Sequence, residues 1–213
     1  MGAIHIVLGA PKEEAIKPLL VEEGLVVGVD RGAIFALEEE IEVNIALGDF
    51  DSVTAIEKKY VEENVDELVS LPTQKNNTDA EMALVYVLEN LEAENIYFYN
   101  WYGGRVDHLY SLLLFALQDR FKPLVPKINF VASTNNISYY LPGKYEIQKN
   151  KEMHYLSYIL LTEVKELTIQ EVKYPIEAED FNHPVALVSN EFLEKRACFS
   201  FSEGIIAVVQ SRD

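Results

Sequence analysis

Up to about residue 132, short apolar runs alternate with longer stretches in which apolar positions recur at helical spacing. The runs Ala3–Leu8, Leu25–Val29, Asn44–Leu47, Glu67–Ser70, Asn95–Tyr99 and Lys127–Val131 have the length of strands. One of them, Asn-Ile-Tyr-Phe-Tyr at 95–99, is rich in residues that suit a pleated surface. Between the runs, residues 13–22, 32–40, 54–64, 78–92 and 108–121 carry helical patterns. Strands separated by helices at this spacing need parallel crossovers. The pattern therefore predicts a doubly wound, mostly parallel α/β sheet with helices on both faces.

Beyond Val131 the texture changes. Ile137–Leu141, Tyr145–Gln148, Tyr155–Leu161, Glu166–Gln170, Val185–Ser189, Ala197–Phe201 and Ile205–Val209 are short β-type runs. Turn-forming residues separate them, among them Leu141-Pro142-Gly143-Lys144 and Ser202-Glu203-Gly204. This predicts a smaller antiparallel β-sandwich after the α/β part, with the change falling near residues 133–140 and the domains taken as 1–135 and 136–213.

Composition narrows the function classes. Of 213 residues 49% are hydrophobic and 25% charged, enough for a core and ordinary for a globular chain. No apolar run approaches the roughly 20 residues that span a bilayer, so no membrane partner is expected. The opening apolar stretch has no basic lead-in and the chain has a single cysteine, Cys198, which together predict a cytoplasmic protein without disulfides. A net charge of −17 argues against a nucleic-acid partner, because phosphate backbones need a basic face. Runs such as Glu38-Glu39-Glu40 read as solvated helix faces, and the excess acid suits a cation only weakly.

The unusual polar clusters fall just after predicted strands, where ligands bind in doubly wound sheets. They are Asp30-Arg31-Gly32, then Gly48-Asp49-Phe50-Asp51-Ser52, then residues 72–79, then Gly103-Gly104-Arg105-Val106-Asp107-His108. Asp49 and Asp51 stand close enough to repel unless a cation bridges them, and Mg²⁺ takes a few carboxylates when substrate phosphates supply the other ligands. Thr54 and Glu57 already form a capping box for the next helix, so neither aspartate is needed there. Thr78-Asp79-Ala80-Glu81 is a second capping box, which leaves Asp79 open between metal ligand and dipole-favoured helix acid. Lys75 precedes that helix start, where a phosphate could gather. Gly103 and Gly104 permit close backbone approach, and Arg105 offers a planar fork to phosphate oxygens. Asp107 is either an N-cap or part of the site; His108 is either structural or a polar contact; Trp101 reads as a core or interface residue. No Walker A loop, dinucleotide glycine pattern or zinc-spaced Cys/His set is present.

In this order, the segments resemble the thiamine pyrophosphokinase family. The resemblance rests on Val29–Ala33, Leu47–Ser52, Lys75–Glu81 and Gly103–His108, then Lys173-Tyr174-Pro175-Ile176, Val188-Ser189-Asn190-Glu191 and Gly204-Ile205-Ile206, and so covers nearly the whole chain. It implies an α/β catalytic domain that binds ATP and Mg²⁺, a thiamine-binding β-sandwich, and a homodimer with sites between subunits. The implied reaction moves a pyrophosphoryl group from ATP to the thiamine hydroxyl and leaves AMP. By position, Asp49, Asp51 and Asp79 would hold Mg²⁺ with Asp30 supporting them. Asp30, Arg31, Lys75, Thr78, Gly104, Arg105 and His108 would form the surroundings of the nucleotide and its phosphates. Asp107 would lie near the reacting groups, and Ser189 and Asn190 would help receive thiamine.

The chain departs from the family pattern in three places. Asn76 stands where an acid usually follows the lysine, Leu112 where an asparagine is common, and Ala207 about where eukaryotic members carry a stacking tryptophan. Two other readings remain: a phosphatase using Asp49 as nucleophile, whose motif normally follows the first strand rather than the third, and a nucleotide-binding module without turnover.

Overall fold

The computed structural model describes residues 2–11, 14–70 and 77–213. It divides into two compact units, Met1–Ala132 and Ser133–Asp213. In the first, β1 (Gly2–Val7), β2 (Gly24–Val29), β3 (Val43–Gly48), β4 (Val65–Ser70), β5 (Ala93–Tyr99) and β6 (Ile128–Val131) lie in the order β6-β5-β1-β2-β3-β4, every pair parallel. Helices α1 (Arg31–Glu38), α2 (Ala55–Asn64), α3 (Asp79–Asn90) and α4 (Val106–Leu113) occupy the later connections. The inner strands β1 and β3 are almost wholly buried, as a sheet covered on both faces requires. The edge strand β4 is half polar.

Coverage of the two faces is visible along β5. Phe98 turns to one side, where its ring lies 5.0 Å from Phe130 and 5.8 Å from Phe115. Tyr99 turns to the other and shares a cluster with Val7 of β1 and Ala36 of α1. A Cβ on Gly28 would stand 2.4 Å from the Ala33 Cα, so this glycine lets α1 lie directly on β2. From β1 the chain winds outward through β2, β3 and β4, then returns to place β5 on the other side of β1. That reversal is the topological switch point, and it opens a crevice beyond the carboxyl ends of β1 and β5.

Two expected helices are corrected. Residues 13–22 do not form an α-helix. Residues 12–13 lie outside the described residues, and residues 14–22 hold only a 3₁₀ turn at Lys17–Leu19. Pro18 contributes no donor, and the Ile16 and Lys17 amides donate to the Glu39 carboxylate at 2.8 Å instead of to a preceding turn. The expected helix 108–121 begins earlier, at Val106, and ends at Leu113; the chain continues as 3₁₀ turns at Phe115–Leu117 and Asp119–Phe121. Phe115 and Phe121 are both fully buried, which two positions six apart on an α-helix, well off one face, would not easily allow.

The second unit holds β7 (Asn135–Tyr140), β8 (Gly143–Gln148), β9 (Tyr155–Leu160), β10 (Val164–Gln170), β11 (Ile176–Phe181), β12 (Val185–Asn190), β13 (Arg196–Phe201) and β14 (Ile206–Ser211). Antiparallel pairing gives the orders β12-β9-β14-β7 and β11-β10-β13-β8. Side chains from both orders fill one core, in which the Phe199 ring lies 5.0 Å from Tyr140, 5.2 Å from Tyr145 and 5.3 Å from Tyr158. The strand β11 was not expected: its Ile-Glu-Ala-Glu-Asp-Phe is acidic and mostly exposed, tolerable only because it is an edge. Since β7 begins at Asn135, the division falls before that residue, not after it.

Candidate active site

A cavity of about 560 Å³ opens at the switch point. The exits of β1 (Leu8 to Pro11), β2 (Val29 to Arg31) and β5 (Trp101 to Arg105) line it, with Asp51 and Ser52 after β3, the start of α3 at Thr78 to Ala80, and His108 and Leu112 of α4. Three of these exits turn through left-handed backbone at a residue other than glycine: Asp30 at φ 47°, Phe50 at φ 57° and Asn100 at φ 51°. Such conformations cost free energy and cluster where a site needs loops aimed in a fixed direction.

The acids gather around the end of β2. The Asp30 Oδ1 accepts a hydrogen bond from the Phe50 amide at 3.1 Å, which ties the β3 exit to β2. Gly48 leaves room for this: at φ 155°, a Cβ there would lie 2.0 Å from the Asp30 Oδ1. Burial, then the charges of Asp79, Asp49 and Asp51, push the Asp30 carboxyl up to about 7, against the pull of the Phe50 amide. Burial also raises Asp79, with Asp49 and Asp51 adding to it, while its own amide and His108 oppose. The Asp49 Oδ1 accepts from the Asp51 amide at 3.1 Å. The four carboxylates thus feel one another, although among the described residues no three His, Cys, Asp or Glu side chains converge on one metal position. Carboxylate oxygens are hard donors, so a set of acids in which burial, and then the neighbours' charges, raise two of the carboxyls is chemistry that suits a divalent cation.

The basic groups are less converged. Arg105 lines the cavity but forks onto Asp107, its Nε 3.1 Å from the Asp107 Oδ1. That pairing holds the Asp107 carboxyl at about 2. Asp107 is not the N-cap of α4: Arg105 occupies that position and Asp107 sits in the first turn. Arg31 reaches Glu57 at 3.2 Å. The Thr78 hydroxyl accepts from the Glu81 amide, closing the expected capping box. Gly104 and His108 line the cavity, and Trp101 is buried with its Nε1 donating to the Val131 carbonyl at 3.2 Å. Lys75 and Asn76 lie outside the described residues.

Asn100 is a site residue that sequence reasoning missed. Its buried amide donates to the carbonyls of Leu8 at 2.9 Å and Ala10 at 2.6 Å, clamping the β1 exit onto β5. An asparagine after a strand, ahead of a Trp and two glycines, was the available signal. In the second unit Ser189 and Asn190 part company. Ser189 is exposed at φ 60°, and its hydroxyl makes no hydrogen bond among the described residues. Asn190 is buried and pairs with both the amide and the carbonyl of Tyr174, at 3.0 and 2.9 Å, so its side chain holds the Tyr174 segment. Leu112 and Ala207 are both buried.

Residues 16–125 match the family profile described as thiamin pyrophosphokinase, catalytic domain, and residues 144–206 that described as thiamin pyrophosphokinase, vitamin B1 binding domain. A thiamine pyrophosphokinase of Bacillus subtilis is 34% identical, with all of both chains covered. Among solved structures, a thiamin pyrophosphokinase family protein of Enterococcus faecalis superimposes with a TM-score of 0.90 at 33% identity, over 99% of each chain. The solved Bacillus subtilis thiamine pyrophosphokinase gives a TM-score of 0.86 at 29% identity, again over 99% of each chain.

Proposed function

The chain belongs to the thiamin pyrophosphokinase family, and from that premise we infer that it is an enzyme transferring a pyrophosphoryl group from ATP to thiamine. The thiamine hydroxyl oxygen bonds to the β-phosphorus of ATP and gives up its proton to solvent, the bond from that phosphorus to the oxygen of AMP breaks, and thiamine diphosphate and AMP leave. The observation that carries the assignment of residues is that Asp30, Asp51 and Asp79 line the switch-point cavity, with Asp49 close enough for its charge to act on Asp30 and Asp79. A phosphatase using Asp49 is not favoured, because the match to the family extends over both units.

Asp49, Asp51 and Asp79 are the residues that would hold Mg²⁺, which when bound neutralises charge on the transferred oxygens. Asp30 fixes the β3 exit that carries two of them. Arg105, Arg31 and Lys75 supply positive charge for the phosphates and His108 a polar contact, with the Gly104 backbone and the Thr78 cap shaping the approach at the cavity. Asp107, next to Arg105 in the first turn of α4, orients the thiamine hydroxyl as a charged acceptor. Ser189 receives thiamine, which its strained backbone and exposed hydroxyl support; Asn190 serves that site by holding the Tyr174 segment. The exposed apolar stripe of Val106, Tyr110, Leu114 and Leu117, 63, 63, 42 and 42% exposed, supports a homodimer. No helix among the described residues is long and apolar enough to cross a membrane, and the composition suits the cytoplasm.

The test is product analysis. Incubation with ATP, Mg²⁺ and thiamine should give AMP and thiamine diphosphate in equal amounts, and a chelator should stop it. Formation of ADP with thiamine monophosphate, or release of phosphate without thiamine, would reject this reading.

A further inference from the structure

The capping box at the start of α3 has a second layer. In an ordinary box the glutamate reaches back to the N-cap amide and leaves its other oxygen in water. Here Glu81 is 8% exposed. Its Oε2 accepts from the Thr78 amide at 2.8 Å, while its Oε1 accepts from the Gln118 Nε2 at 2.6 Å and the Arg120 Nη2 at 3.1 Å. Arg120 also donates from Nη1 to the Asn77 Oδ1 at 2.8 Å and from Nε to the Gln118 Oε1 at 2.8 Å. Its guanidinium lies over the ring of Phe121, 4.5 Å from the centroid, and Phe121 is fully buried. All three guanidinium nitrogens are therefore committed, on a platform that cannot shift without opening the core.

We propose that Arg120 is a positioning residue for pyrophosphoryl transfer: it locks Asn77 and Glu81 so that the first turn of α3 presents Asp79 to the cavity at a fixed place. Asp79 lies between the two locked residues, and Thr78, Asp79 and Ala80 line the cavity, whereas Asn77, Glu81, Gln118 and Arg120 do not. The network thus acts from behind, with no contact to the reacting groups. A fork that binds two acceptors and a flat face that stacks are properties of arginine that lysine lacks. A displacement of the metal-binding carboxylate by about 1 Å would cost on the order of 100-fold in rate.

This rests on the reading of the chain as a thiamine pyrophosphokinase, so the experiment begins with the wild-type enzyme. If wild type makes no AMP from ATP and thiamine, the activity is wrong and Arg120 is not at issue. Given an active wild type, Arg120→Met should lower kcat by about 10- to 100-fold. It should also raise the Mg²⁺ concentration needed for half the maximal rate and leave the KM for thiamine unchanged. Arg120→Lys should recover part of kcat, because the charge beside Glu81 returns but the fork does not. Asn77→Ala should cost less in the Arg120→Met background than in wild type, since both act through one contact. A lower melting temperature with normal kcat and normal Mg²⁺ dependence would overturn the proposal and make the network a fold brace only. Should Arg120→Met fail to fold, Arg120→Lys and Gln118→Ala decide in the same terms: reduced kcat with raised Mg²⁺ demand supports it, and wild-type kinetics overturns it.

Discussion

Asn100 shows how one side chain can set the shape of a site it does not react in. The backbone at the end of β5 must turn through φ 51° to send Trp101 and the two glycines around the cavity, and asparagine is the side chain other than glycine that tolerates this best. Its amide then supplies both protons that hold the carbonyls of Leu8 and Ala10. Asn100→Ala removes the donors and also suits the left-handed turn less well, so we expect a stability loss of about 1–3 kcal/mol together with reduced turnover. Asn100→Asp should be worse than Ala in both, because it sets carboxylate oxygens against two carbonyl oxygens. Denaturant unfolding and turnover of the two variants check this; an Asp variant as stable as wild type would mean that amide donation is not what holds the β1 exit. The acids and Arg105 could be picked from the sequence because charged residues after strands are chemically conspicuous. Asn100 and Arg120 could not, because their partners lie 90 and 39 residues away and only the fold brings them together.

Elements defined by local chemistry follow their sequence signals, and those defined by tertiary contacts do not. The capping boxes Thr54–Glu57 and Thr78–Glu81 close as their spacing requires, since every atom involved lies within one turn. The segment after β1 has helical periodicity but takes its hydrogen bonds from Glu39 beyond the end of α1, a partner that no local pattern announces. The edge strand β11 was hidden for the converse reason: its acidic residues are poor strand formers that an exposed edge accepts. The role of Glu39 can be measured. Bonds from amides to a carboxylate are worth about 1.5–3 kcal/mol each, so Glu39→Gln, which keeps shape but loses charge, should loosen the 3₁₀ segment. Amide hydrogen exchange should quicken at Ile16 and Lys17 while the core strands β1 and β3 keep their protection. Unchanged exchange at those two amides would show that packing of the buried Ile16, and not the carboxylate, holds the segment.

At the scale of the whole molecule, the change from alternating strands and helices to consecutive short strands marks two units with separate cores. The hydrophobic periodicity carries that organisation because burial on one face or two imposes it directly. The proposed roles divide along the same line. The acids and Arg105 belong to the first unit, and the strained, exposed serine to the second. Ser189 stands at φ 60° with its amide donating to the Ser157 side-chain hydroxyl at 3.1 Å, which leaves its own hydroxyl available to a ligand. Alanine at this position keeps the amide bond and the same backbone cost, and loses only the hydroxyl. Ser189→Ala should therefore leave the melting temperature close to that of wild type. The lost contact should raise the KM for thiamine about 5- to 10-fold, the equivalent of one hydrogen bond of about 1 kcal/mol, and should leave the KM for ATP where it was. Steady-state kinetics with each substrate varied in turn distinguishes the cases. A change confined to the ATP constant would assign Ser189 to the nucleotide and reject the division, and a fall in kcat with both constants unchanged would place the hydroxyl in the transition state instead of in thiamine binding.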